Sequence, residues 1–307
     1  AGPWYLRAPT PTRKAAINAQ AAWSTLGTRA GLNAVGSNSV VVAVLDTGVD
    51  KTHPFLAGKV VSEACYSTNS GTTAYSVCPG GVAASTAAGS GVNCSVSQYG
   101  SGCEHGTHVA GIVAGVNGPS GSAGVARDAS VIAVQVFSYF PSNQDVLSYS
   151  SDQIKGLERV YALRGQYSIA AVNMSLGGGQ YTGFCDSSNL AIKGAIDNLR
   201  SVGIATVIAS GNNGYRNAIS APACVSSAVS VGATCDAADG GYCATGVNGV
   251  AGYSNIASIV SLLAPGSYIR SAVPGLAPGP ASSTSSGSTA CVVVCAQSWT
   301  TTVWRPS

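Results

Sequence analysis

The chain has 307 residues, with 15 Lys or Arg and 12 Asp or Glu, so its formal net charge is +3. Charged residues make up 9% and hydrophobic residues 46%, whereas about 25% charged residues is usual in a soluble protein. This balance argues against intrinsic disorder and coiled coil, and the lack of a basic cluster argues against a nucleic-acid partner.

Short apolar runs alternate with segments of helical spacing along the chain. Continuous β-branched runs are typical of strands buried on both faces of a sheet. The sequence predicts helices at 14–27, 105–117, 144–164 and 187–202. It predicts strands at 39–45, 131–136, 169–174, 204–208, 228–231 and 259–263. This alternation predicts one α/β domain over residues 1–307, with a mainly parallel central sheet and helices on both faces.

The chain has ten cysteines, a number that favours disulfides and therefore an oxidising compartment. The alternative, metal binding, is disfavoured because no C-x-x-C pair with metal-ligand spacing occurs. We expect a local Cys235–Cys243 disulfide and a longer Cys185–Cys224 disulfide, while the rest of the connectivity stays open. Residues 66–102, rich in Ser, Gly and Cys, predict a long surface loop held by disulfides. The chain has no initiator Met and no long apolar run, so we expect a mature fragment of a secreted protein without a membrane span.

Three polar residues stand where predicted strands end or helices begin. Asp46 ends the first strand, His105 opens the helix at 105–117, and Asn212 follows the strand at 204–208. Active sites form at the carboxyl ends of parallel strands. A carboxylate and an imidazole suit proton transfer, and a side-chain amide can donate to a developing oxyanion. Two of them also have a structural interpretation. Asp46 could cap a turn or the next helix, and Asn212 could be a turn residue, although Asn213 would suit that role as well.

The other two histidines are interpreted as structural. His108 lies one turn after His105 on the same helix face, which would suit metal ligation only with further ligands. No His-Glu-x-x-His pattern or third ligand supports a metal, so we expect His108 in the core and no metal site. His53, before Pro54, is also expected to be structural.

The motifs together carry a family resemblance. Asp46-Thr-Gly, His105-Gly-Thr-His-Val-Ala-Gly and Ser210-Gly-Asn-Asn-Gly resemble the motifs of the subtilisin-like serine proteases, or subtilases, in order and spacing. His105 follows Asp46 by 59 residues and Asn212 follows His105 by 107. Further similarity is found around 124–136, 172–177 and 264–266, and the resemblance covers about residues 15–290.

The resemblance implies a role for each matching residue. His105 would be the general base, Asp46 would orient its imidazole, and Asn212 would donate to the oxyanion. The substrate-binding residues implied by the family are Ser175, Leu176, Gly177, Ala209, Ser210 and Gly211.

The nucleophile segment departs from the family pattern. Family members have Gly-Thr-Ser-Met-Ala, whereas this chain has Gly287-Ser-Thr-Ala-Cys291. The nucleophile is therefore Ser288, its alternative Thr289, the weaker candidate Ser285, or missing. Residues 291–307 are atypical, and an altered reading frame, which resequencing of the DNA would test, is favoured over a natural tail.

The resemblance implies a secreted serine endopeptidase that acts through an acyl-enzyme with an Asp-His-Ser triad. The alternatives are a catalytically impaired or inactive subtilase-like domain that binds peptides, and an unrelated disulfide-stapled binding domain. Polypeptides would be the substrates, and a cleaved propeptide would precede Ala1. We expect a monomer with no required cofactor and with Ca²⁺ only as a structural ion on loop carbonyls.

Overall fold

A computed structural model describes residues 40–118, 123–235, 241–244, 246, 248–267, 269–275 and 283–284. The predicted helix at 14–27 lies outside these residues. So do the nucleophile candidates Ser285, Ser288 and Thr289, and the cysteines Cys291 and Cys295.

The remaining predicted strands and helices are present, with shifted ends. The strands are β1 (Val40–Asp46), β2 (Val60–Tyr66), β3 (Tyr75–Ser76), β4 (Ala84–Ser85), β5 (Ser130–Gln135), β6 (Ser138–Phe140), β7 (Asp145–Leu147), β8 (Ser168–Met174), β9 (Gly178–Tyr181), β10 (Ala205–Ala209), β11 (Ile219–Ala221), β12 (Val229–Thr234), β13 (Leu262–Pro265), β14 (Arg270–Ser271) and β15 (Ser283–Thr284). The α-helices are α1 (Val96–Tyr99), α2 (His105–Ala114), α3 (Ser150–Leu163) and α4 (Leu190–Ser201), with 3-10 turns at Pro54–Leu56, Pro79–Gly81, Ser101–Glu104 and Asp186–Ser188.

Eight strands form the central sheet in the order β13-β12-β10-β8-β1-β5-β2-β4. All neighbours pair in parallel except β2 and β4. Every residue of β5 is buried, as a strand covered on both faces requires. The predicted mainly parallel α/β fold is confirmed.

Helices cover both faces of the sheet. Side chains alternate between faces along a strand, and Val44 packs with Val109 and Val113 of α2, whereas Leu45 packs in the cluster that holds Leu157 of α3. The helices α2 and α3 therefore lie on opposite faces. Within the described residues, none of the helices combines the length and the apolar character needed to span a bilayer.

Two predicted helices have wrong boundaries. The helix predicted at 144–164 begins at Ser150, because Gln144 has a φ of +51° and residues 145–147 pair as β7 with β6. The helix predicted at 105–117 ends at Ala114, because Gly115 has extended geometry. The predicted loop at 66–102 also contains β3, β4 and α1, which are too short for hydrophobic periodicity to reveal.

Four disulfides hold the surface segments of the described chain. The predicted pairs Cys185–Cys224 and Cys235–Cys243 are confirmed, and the other two are Cys65–Cys78 and Cys94–Cys103. No described cysteine is free. Closing a loop restricts the unfolded chain more as the loop lengthens, so the Cys185–Cys224 bridge, which spans 39 residues, is expected to stabilise the fold most.

Candidate active site

The site lies at one edge of the sheet, where three adjacent parallel strands end. Strand β8 pairs with β1 on one side and with β10 on the other. Asp46 is the last residue of β1, Ser175 follows β8, and Asn212 lies three residues beyond β10. Because the carboxyl ends of parallel strands lie on the same side of a sheet, the sheet brings together the segments of Asp46, Ser175 and Asn212, all of which the sequence predicted to belong to the site.

Asp46 and His105 form a buried pair at this edge. The Nδ1 of His105 lies 2.7 Å from Oδ1 of Asp46, and the two residues are 4% and 0% exposed. Since a carboxylate accepts hydrogen bonds, the proton of a neutral imidazole lies on Nδ1. This leaves Nε2 as the basic nitrogen, the tautomer that a general base requires.

Thr47 and two glycines hold the start of α2 against the end of β1. The Thr47 hydroxyl accepts a hydrogen bond from the Gly106 amide over 2.9 Å, which satisfies one of the free N–H groups at the helix start. A Cβ on Gly106 would collide with the carbonyl oxygen of Gly48. Gly48 has a φ of +87°, a conformation that favours glycine. These contacts bring His105 within reach of Asp46.

A disulfide reinforces the same junction. Cys103 lies two residues before His105, and its partner Cys94 donates its amide to the Thr47 carbonyl over 3.1 Å. The bridge therefore links the segment before the imidazole to the segment after the carboxylate. Next to His105, burial raises the pKa of the Glu104 carboxyl.

The side-chain amide of Asn212 has no partner among the described residues. Its Nδ2 and Oδ1 are both buried and make no hydrogen bond within that part of the chain. An unpaired buried amide is costly, of the order of 1–3 kcal/mol, and a catalytic role is one explanation for such a group in a native protein. Gly211 precedes it with a φ of +111°, which turns the chain at the end of β10.

A cleft of about 500 Å³ runs beside the pair. Leu176 and Gly177, both predicted to bind substrate, line it, and so does Thr47, the residue after Asp46. The other predicted substrate residues do not line this cleft. Ser175 is buried and its hydroxyl accepts a hydrogen bond from the Asn173 side chain, and Ala209, Ser210 and Gly211 are buried as well.

Gly177 nevertheless lies close to the end of β10. The position of a Cβ on Gly177 falls 3.9 Å from the Ala209 carbonyl oxygen. The two substrate segments implied by the family are therefore neighbours, and their binding roles stay predictions.

His108 is buried in the core behind His105, as expected from the sequence. Burial, with a smaller contribution from the charge of His105, lowers its pKa from 6.5 to about 4, although a hydrogen bond to the Ile269 backbone opposes this shift. His108 is therefore neutral near neutral pH. Its Nε2 makes no hydrogen bond with the described residues, so protonation there would place an unpaired charge in the core.

We expect this histidine to make the protein sensitive to acid. The unfolded chain binds a proton near pH 6.5, whereas the folded chain resists it until about pH 4. Stability is therefore full above pH 6.5 and falls as the pH drops through this window, by about 2 kcal/mol at pH 5. Denaturant unfolding at pH 7.5 and pH 5 would measure the loss. A His108→Gln variant should lose less between the two pH values; an equal loss would contradict this account.

His53 has a local structural contact, in line with its predicted role. Its Nδ1 accepts a hydrogen bond from the Phe55 amide over 3.1 Å and caps the turn at Pro54–Leu56. Burial lowers its pKa, although the nearby Asp50 opposes the shift.

The buried acids of the described chain are already engaged and do not fit a calcium cage. Asp46 contacts His105, Glu63 forms an ion pair with Lys51 at 2.6 Å, and Asp152 accepts from Thr68. No group of three or more His, Cys, Asp or Glu residues comes together among the described residues. A structural Ca²⁺ on loop carbonyls stays a prediction.

Sequence reasoning missed several contributors to the site. The sequence marks Thr47 only as part of the Asp46-Thr-Gly motif, and no motif marks Asn255, which contacts the Asn212 loop. The segment 145–148, which lines the cleft, was predicted to be part of a helix. Of these residues, only Thr47 has a sequence position that indicates its role, since a hydroxyl directly after a strand can accept a hydrogen bond from the start of a neighbouring helix.

Comparison with known proteins gives one consistent result. The sequence model of the subtilase family (Peptidase_S8) matches residues 37–302, so the match begins and ends later than the 15–290 predicted and includes Ser288 and Thr289. Subtilisin NAT of Bacillus subtilis subsp. natto is 32% identical over 243 residues, which cover 78% of this chain and 50% of that protein.

Two other relatives come from distant organisms. An extracellular protease of Xanthomonas campestris pv. campestris is 33% identical over 271 residues, 81% of this chain and 42% of its own length. The subtilase-type proteinase psp3 of Schizosaccharomyces pombe is 31% identical over 247 residues, which cover 80% of this chain and 43% of that protein. The chain thus spans half or less of the length of these relatives. The family match and these identities show that the chain belongs to the subtilase family.

Proposed function

We propose that this chain is a serine endopeptidase that hydrolyses peptide bonds through an acyl-enzyme. The observation that carries the proposal is the buried 2.7 Å contact between Asp46 and His105, next in the chain to Thr47, which lines a cleft. Family membership supports the same reaction.

In the proposed mechanism, Ser288 is the nucleophile. Its Oγ attacks the scissile carbonyl carbon while Nε2 of His105 takes the hydroxyl proton. The carbonyl oxygen becomes an oxyanion, to which Nδ2 of Asn212 donates a hydrogen bond. The C–N bond then breaks and His105 returns the proton to the leaving amine. Water next attacks the acyl carbon while His105 takes one of its protons, the C–O bond to Ser288 breaks, and His105 returns the proton to the serine oxygen.

Asp46 has two tasks in this mechanism. It holds the imidazole in the tautomer that leaves Nε2 basic, and its negative charge stabilises the imidazolium that forms when the hydroxyl proton is transferred. Both tasks depend on a carboxylate kept out of water, and the complete burial of Asp46 supports them.

The Asn212 amide gives a direct test of the proposal. We expect Asn212→Ala to lower kcat on a chromogenic peptide amide by about 10²–10³, with little change in KM, because the donor acts mainly in the transition state. This magnitude was measured in subtilisin, a member of the same family. Asn217→Ala, an exposed amide in the following loop, is the matched control and should keep wild-type kcat. Equal rates for the wild type and Asn212→Ala would contradict the oxyanion role, and an inactive wild type would contradict the function.

A catalytically impaired, peptide-binding relative is the second candidate. It is favoured by the Gly287-Ser-Thr-Ala sequence, which replaces the Gly-Thr-Ser-Met of the family. In that case Thr289 or no residue would take the place of Ser288, while the cleft would still bind peptides. Peptide binding without turnover by the folded protein would support this candidate.

The surroundings of the reaction are proposals as well. Four disulfides are typical of proteins that fold outside the cytosol, and one relative is named an extracellular protease. We therefore propose secretion as a monomer, polypeptide substrates, no required cofactor, and a propeptide removed ahead of the mature domain.

A further inference from the structure

The loop that carries Asn212 is held by one buried residue, Asn255. Its side chain is 0% exposed, and its Oδ1 accepts hydrogen bonds from the amides of Asn213 over 2.8 Å and Tyr215 over 3.1 Å. Its backbone amide donates to the Gly211 carbonyl over 2.9 Å. Asn255 therefore fixes the peptide groups on both sides of Asn212.

The amide nitrogen of Asn255 ties the loop to the end of β10 and to a neighbouring segment. Nδ2 lies 3.2 Å from the Ser210 carbonyl oxygen, 3.2 Å from Oδ1 of Asn213 and 3.3 Å from Oγ of Ser220. An amide nitrogen has only two hydrogens, so these three acceptors share them. In return, the Ser210 hydroxyl donates to the Asn255 carbonyl over 2.7 Å.

Asn212 itself contributes nothing to this network. Both polar atoms of its side chain are buried and lack a partner in the described part of the chain, so no hydrogen bond from these residues fixes the direction of its amide. That direction follows from the backbone at 211–213, which Asn255 holds. A Cβ on Gly211 would collide with Nδ2 of Asn255, so the glycine is what allows this close approach.

We propose that Asn255 is a positioning residue, which aims the Asn212 donor at the oxyanion by fixing the backbone on either side of it. The proposal rests on the proposed function, because it assigns Asn255 a role only through Asn212. Asn255 does not line the cleft beside the pair. A donor that is preorganised stabilises the transition state without reorienting during the reaction, and a loosened loop would lose this advantage.

A double-mutant cycle separates positioning from simple support of the fold. We expect Asn255→Ala to lower kcat at least about 10-fold, with KM within about twofold of wild type. The reason is that a misdirected Asn212 amide would stabilise the oxyanion of the transition state less. In the Asn212→Ala background, Asn255→Ala should lower kcat no further, since there is no donor left to aim. An equal loss of kcat in both backgrounds, or no loss in the wild-type background, would overturn the proposal.

Two further variants identify losses that come from folding alone. Ser254→Ala removes a buried neighbour that accepts from the Ala233 amide over 2.9 Å, and it should lower stability while kcat per folded molecule stays unchanged. Asn255→Asp keeps an oxygen for the Asn213 and Tyr215 amides and should retain more kcat than Asn255→Ala, despite the buried charge. If Asn255→Ala fails to fold, the cycle is run with Asn255→Asp. If kcat follows the stability of the three variants, the role is structural only.

Hydrogen exchange tests the loop independently of activity. The amides of Asn213 and Tyr215 should exchange faster in both Asn255 variants than in wild type or Ser254→Ala, with the larger change in Asn255→Ala. Unchanged exchange would overturn the proposal even if the enzyme is active. Faster exchange with an inactive wild type would instead contradict the proposed function while leaving the contact between Asn255 and the loop intact.

Discussion

Replacing His105 by alanine is expected to lower kcat by about 10⁶-fold, a loss of the size seen in subtilisin when its histidine is removed. The variant retains the cleft and the Asn212 amide but has no base to accept the nucleophile's proton. KM should therefore change little, and the residual rate should reflect binding and the oxyanion donor alone. Steady-state hydrolysis of a peptide amide at high enzyme concentration measures both constants.

His53→Ala is the control for this loss. His53 caps a local turn and lies outside the cleft, so the variant should keep wild-type kcat and lose only about 1 kcal/mol of stability. A His105→Ala protein that is folded and as active as the wild type would remove His105 from the mechanism.

Asp46→Asn should lower kcat by about 10⁴-fold while the fold is kept. The substitution preserves size, but an amide nitrogen facing Nδ1 would donate a hydrogen bond, and the proton of the imidazole would then lie on Nε2. His105 could no longer accept a proton from the nucleophile. The neutral amide would also fail to stabilise the imidazolium, so the two defects act together on the same step.

Asp152→Asn provides a matched control, since Asp152 is also completely buried. It accepts hydrogen bonds from the amide and hydroxyl of Thr68 and contacts Lys155 at 3.0 Å, and it does not line the cleft. We expect it to lower the free energy of unfolding and leave kcat unchanged. An equal fall in kcat for both variants would show that losing any buried carboxylate, rather than orientation of His105, explains the effect.

The central sheet was predictable because its strands are continuous apolar runs. Ser130–Gln135 is buried throughout and Val40–Asp46 is buried except for Val40 and Val42, which are partly exposed. Continuous apolar runs of this length are a sequence signal for buried strands. The strand at 145–147 was missed because Asp145-Val-Leu fits a helix equally well. Its conformation is set by pairing with residues 138–140 and by the positive φ of Gln144, neither of which the local sequence encodes clearly.

The site was predictable only where motifs mark it. Asp46, His105 and Asn212 stand at strand and helix ends, where parallel topology alone brings side chains to one edge. Asn255 belongs to no such motif, and its sequence context, a polar residue in a loop of small residues, would instead predict an exposed side chain. Its contacts with residues 40 or more positions earlier in the chain exist only in the folded protein, so no local pattern reveals them.

Covalent labelling with a serine-directed phosphonofluoridate tests the central claim most directly. Attack by the nucleophile oxygen on phosphorus expels fluoride, and His105 takes the hydroxyl proton, so the label reports the base and the nucleophile in one experiment. We predict one adduct per folded molecule, mapped by mass spectrometry to Ser288, and its near absence in His105→Ala. A folded wild-type protein that gains no adduct, or one labelled as fast without His105 as with it, would contradict the account.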